Sequence, residues 1–160
     1  MSAPAETLAA LHMPDNVCIY RAPMRARDLD VPAGAGAEYG LASGAVGIGH
    51  GRGEKAARAL HRFANVPTGA FVWTRDRAGA YHLGRIKGAV VEDRSPAALA
   101  LGIVHVRETT WLPRAFEQTE VPRAVVRTFA RGGRNFQRTH DGEAERVTAE
   151  IWLRERGGPA

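Results

Sequence analysis

Phe71-Val72-Trp73-Thr74, Asp76-Arg77-Ala78-Gly79 and Tyr81-His82-Leu83-Gly84-Arg85-Ile86 follow one another with almost no interruption. Two runs rich in β-branched and aromatic residues flank a polar connection ending in glycine, and this pattern predicts a β-hairpin. Ala89-Val90-Val91 extends the second strand past Gly88, which would serve as a bulge or bend. Downstream, Ile103, His105 and Arg107 alternate with Val104, Val106 and Glu108, a strand signature that runs on to Trp111. Upstream, Val17-Cys18-Ile19-Tyr20 and Ala45-Val46-Gly47-Ile48 read as further strands, and Phe136 lies in a candidate last one.

Helical spacing is expected over Glu54–Phe63 through Ala57, Leu60 and Ala64. A second helix starts at Pro122 and runs through Phe129. A third covers Glu143–Arg154, with Ala144, Val147 and Ile151 on one face. Met24–Gly40, broken by Pro32, Gly34 and Gly36, reads as an irregular loop, as does the stretch around Ser95-Pro96. A hairpin in place of regular βα alternation argues for an α+β fold: a curved mixed or antiparallel sheet flanked by two or three helices. Eighteen glycines suit barrel-like bending.

The chain has 160 residues, 44% of them hydrophobic, enough for one core. We read a single domain over 16–156, with tails at 1–15 and 157–160. No apolar run is long enough for a membrane helix, and the first residues lack the charged and apolar regions of a signal peptide. We therefore expect a cytoplasmic protein. The lone Cys18, in an apolar strand context, reads as a buried thiol.

The net charge is +5, and nearly all the cations are arginines; Lys55 and Lys87 are the only lysines. Arginine suits bidentate phosphate contact and stacking on bases, although a GC-rich coding bias also raises its share. Between 107 and 138 lie Arg107, Arg114, Arg123, Arg127, Arg131, Arg134 and Arg138 against three glutamates, which marks this segment as the candidate anion-binding face.

Gly47-Ile48-Gly49-His50-Gly51-Arg52-Gly53 lies between a predicted strand and a predicted helix, the setting of a phosphate cradle. Its spacing satisfies neither G-x-G-x-x-G nor a Walker A ending, and a close-packed turn is the ordinary alternative. The six histidines offer no short ligand pair, so no metal site is expected. No G-x-S-x-G occurs and no paired acid and base stand out, so neither an enzymatic activity nor a cofactor is expected. Trp73 and Trp111 lie on strands beside polar residues. They can be core side chains, or planes on which an unpaired base stacks.

Taken together, Gly69-Ala70-Phe71-Val72-Trp73, Leu83-Gly84-Arg85-Ile86-Lys87-Gly88, Val104–Leu112 and Val121-Pro122-Arg123 resemble the EVE-like branch of the PUA superfamily. The likeness is to the N-terminal reader modules of modification-dependent restriction systems, and Ala45–Gly51 is similar to their strand ending in Gly-Trp-Gly. Ala70 and His50 depart from that pattern, replacing an acid and a tryptophan. The resemblance implies a PUA/EVE-like pseudo-barrel that reads a flipped or modified base, DNA being favoured over RNA, with a separate nuclease or effector as partner. It also implies a base pocket of Trp73, Trp111 and His50, with Gly47, Gly49, Tyr20 and Tyr39, and phosphate contacts by Arg107, Arg131, Arg134 and Arg138. Two other readings stay open: a small transferase with acyl-CoA or a nucleotide at the glycine-rich turn, and an interaction module for an acidic protein.

Overall fold

The computed structural model describes residues 17–157; the tail expected at 1–15, with His12, and residues 158–160 lie outside them. The expected hairpin forms from β3 (Phe71–Arg75) and β4 (Tyr81–Glu92), antiparallel with Trp73 opposite Leu83. Asp76 closes its turn: one carboxylate oxygen accepts from the Ala80 amide, and the other lies 2.8 Å from Nε2 of His82. A register shift between Ile86 and Val90 bends β4 as it pairs with β5 (His105–Trp111), the irregularity anticipated at Gly88.

Three shorter strands complete the sheet. β1 (Ile19–Arg21) lies parallel to β3, β2 (Ala45–Ile48) is antiparallel to β5, and β6 (Gln137–Arg138) is antiparallel to β1. The resulting mixed sheet has the order β2-β5-β4-β3-β1-β6.

Five helices accompany it among the described residues, more than the two or three expected: α1 (Ala35–Ser43), α2 (Gly53–Ala64), α3 (Pro96–Leu101), α4 (Arg123–Ala130) and α5 (Gly142–Gly157). Gly157, expected in the C-terminal tail, thus belongs to the last helix. α1 occupies the supposed irregular loop, because packing overrides the weak helix propensity of glycine. A Cβ on Gly36 would lie 1.9 Å from the Met24 carbonyl oxygen, so only a bare backbone lets the helix seat against that loop. α3 has signals legible at both ends: Ser95 caps the Ala98 amide, Pro96 opens the first turn, and Gly102 ends it with φ of 69°.

Both faces of the sheet are covered. On one, Ile19, Phe71, Trp73 and Leu83 pack with Val125 of α4 and with Ile151 and Trp152 of α5. On the other, Cys18, Val46, Val72 and Ile86 meet Ala37 of α1 and Phe63 of α2. Burying each large apolar side chain contributes about 1.5–3 kcal/mol. Phe63 is the anchor of α2, whereas Ala57 and Ala64, expected on its buried face, are exposed. No described helix is long and apolar enough to cross a membrane.

Candidate functional site

β2 and β6 are the two edges of the sheet, and the chain just beyond β2 and at β6 lines one cavity of about 790 Å³. α2 leaves β2 through the glycine-rich turn and forms another wall. The cavity is thus the cleft between the two sheet edges. Phe136, next to β6, joins the walls: its ring stacks on Tyr20 at 5.0 Å and meets Phe63 of α2 edge-on at 5.0 Å. Burial raises the pKa of the Tyr20 hydroxyl.

The cavity walls carry seven arginine or lysine side chains, Arg25, Arg27, Arg52, Lys55, Arg62, Arg134 and Arg138, against one acid, Asp28. On α2, Lys55, Ala59 and Arg62 follow at helical spacing, so one stripe faces the cavity with cations separated by a small residue. Arg52, Lys55 and Arg62 take part in no ion pair among the described residues. Across the cleft, Arg134 donates to the carbonyls of Ala26 at 2.7 Å and Arg27 at 3.2 Å, while Arg27 donates to Asn135 Oδ1 at 2.7 Å. These bonds hold loops 25–29 and 134–135 together as one wall. His50, His61 and His140 also line the cavity. Among low-dielectric walls, a lining so dominated by one sign of charge focuses the field and favours an anion over a cation. The chain matches no family model and no curated protein.

Tyr20, Gly49, His50, Arg134 and Arg138, all predicted from sequence, meet in this cavity. Trp73 and Trp111 do not, and the expected aromatic cage does not form. Successive side chains on a strand point to opposite faces, and Trp73 pairs with Leu83 whereas Trp111 pairs with Gly84, so the sheet separates them. Trp73 is wholly buried and donates to Thr148 Oγ1 at 3.1 Å. Trp111 packs beneath the other face over Gly84 and donates to the Ala45 carbonyl at 3.2 Å.

Arg107 is corrected from phosphate contact to internal brace. It is 2% exposed and donates to the carbonyls of Gly88, Phe63 and Val66 at 2.7, 2.9 and 2.7 Å, holding the C-terminal end of α2 to the bulge of β4. Tyr39 lies outside the cavity and donates to Asp93, with Ser95 Oγ 3.0 Å away, which ties α1 to the start of α3. Gly47 is also internal: a Cβ there would lie 2.4 Å from Ile103 Cγ2, so this glycine serves packing. Arg131 lies in a neighbouring groove.

Sequence reasoning missed Arg25, Arg27, Arg52, Lys55, Arg62 and Phe136. The stripe on α2 was legible, since Lys55 and Arg62 are seven residues apart and oppose the face read as apolar. Arg25 and Arg27 gave no such signal, because the fold of an irregular loop places them.

Proposed function

We propose that this chain is a nucleic-acid-binding module that takes a nucleotide into the cleft between its sheet edges. The observation that carries the reading is the cavity itself: roomy enough for a small ligand, lined by seven cations against one acid, and bordered by the aromatic rings of Tyr20 and Phe136. Arg52, Lys55 and Arg62 are the phosphate contacts, with Arg138 at the opposite edge. His50, Tyr20 and the backbone at Gly49 face the base. The mixed sheet and the helix after β2 are compatible with the PUA/EVE-like architecture, and the sequence resemblance is what favours DNA and an extruded or modified base. In this reading the chain binds and does not itself cleave, and a separate nuclease or effector acts on what it holds.

Fluorescence anisotropy with single-stranded, duplex and base-modified DNA tests the proposal. Affinity should fall steeply with salt, because phosphate contacts displace counterions. The double variant Lys55→Glu/Arg62→Glu, on an exposed helix stripe, should lose roughly 30-fold or more in affinity while its melting temperature stays within a few degrees. Salt-independent binding, an unaffected double variant, or tighter binding of acyl-CoA than of any oligonucleotide would refute it.

A further inference from the structure

A second, smaller groove of about 230 Å³ opens on the other side of β6. It shares Gln137, Arg138 and His140 with the large cavity, so β6 forms a low ridge between the two. On its far side lie Arg127 of α4 and, one turn later, Arg131, which caps the end of that helix. Both are exposed, and neither takes part in an ion pair among the described residues. Like charges at this spacing repel one another, so the helix gains nothing from pairing them.

The ground beneath is cationic too. Arg21 is 5% exposed, and its guanidinium donates to the carbonyl and hydroxyl of Thr128, the Asn135 carbonyl and Gln137 Oε1. Its bonds brace both α4 and β6 at the groove. Burial, followed by the charge of Arg131, lowers its pKa. Asp141, the acid on the rim, accepts from the Ala144 amide as the cap of α5, while Glu145 lies 3.6 Å from Arg138. The groove therefore gathers Arg127, Arg131 and Arg138 over a buried arginine, a donor set suited to phosphate oxygens.

We propose that this groove is a second phosphate subsite and that the ligand is an extended polynucleotide strand crossing β6. One nucleotide occupies the cavity, and the phosphate flanking it occupies the groove. The proposal rests on the nucleic-acid reading above and adds the strand's length and path. It separates a polynucleotide from a free nucleotide, which would need the cavity alone.

The test compares thymidine monophosphate with an oligothymidylate of about eight residues, a length within the range single-strand sites cover. Wild-type protein should bind the oligonucleotide on the order of tenfold or more tightly than the monophosphate. Arg127→Ala/Arg131→Ala should remove most of that gain, keep the monophosphate affinity, and reduce the slope of log K against log salt by about 0.7 for the one phosphate no longer neutralised. The proposal is overturned if the double variant keeps both oligonucleotide affinity and slope, if it loses both ligands equally, or if wild type binds the oligonucleotide no better than the monophosphate. Failure of the underlying reading is distinct: Lys55→Glu/Arg62→Glu would then leave both ligands unaffected.

Discussion

Replacing Arg107 with methionine should weaken the fold and leave ligand affinity nearly intact. Methionine retains most of the apolar stem, so the change removes the guanidinium and little volume. Three carbonyls, of Gly88, Phe63 and Val66, then lose a charged donor in a site where Arg107 is 2% exposed. The Phe63 carbonyl keeps the Val66 amide at 3.3 Å, so the cost falls on the other two: at about 1–3 kcal/mol for each unsatisfied buried acceptor, and with relief of the buried cation's own desolvation offsetting part of the sum, the loss is about 2–4 kcal/mol. Against a typical stability of about 5–15 kcal/mol, that corresponds to a fall in melting temperature on the order of 5–15 °C. Arg107→Lys should recover only part of it, since one ammonium cannot reproduce a fork reaching three carbonyls. Urea denaturation followed by tryptophan fluorescence measures the loss, and oligonucleotide anisotropy well below the melting temperature measures binding. A methionine variant that loses under about 1 kcal/mol of stability but most of its affinity would refute the brace and restore a phosphate contact.

Trp73→Phe should cost about 2–3 kcal/mol, from lost ring volume and the unpaired Thr148 hydroxyl, with unchanged ligand preference; a changed base preference at full stability would place Trp73 in a ligand pocket instead. Burial, followed by the neighbouring His50, holds His105 below its ordinary value of 6.5, with Glu92 pulling the other way and Arg94 adding to the depression. The unfolded chain therefore takes up that proton first, so the His105 contribution is complete above about pH 6.5 and is lost as pH falls through the window beneath it. Urea titrations across that window should show a shallower pH slope in His105→Gln, and an identical slope would rule His105 out as the source.

The hairpin, the bulge in β4, the strands at β2 and β5 and the helices at α2, α4 and α5 were readable because each depends on local pattern: period-two alternation, turn residues, capping. α1 was not readable, since its glycines suit a helix only where Met24 presses against them. The site divided along the same line. Sequence by itself determined a basic, arginine-rich α+β chain and placed Tyr20, His50, Arg134 and Arg138 among the candidates. It could not say which side of the sheet a strand residue faces relative to one on a distant strand, because that depends on register and pairing. Register sent Trp73 and Trp111 to opposite faces and turned Arg107 inward, while pairing of β6 with β1 brought Phe136 against α2. Only the tertiary structure joined Lys55 and Arg62 to Arg27 and Arg134 around one cavity, since residues so far apart in the chain meet only once the sheet, its helices and the connecting loops have packed together.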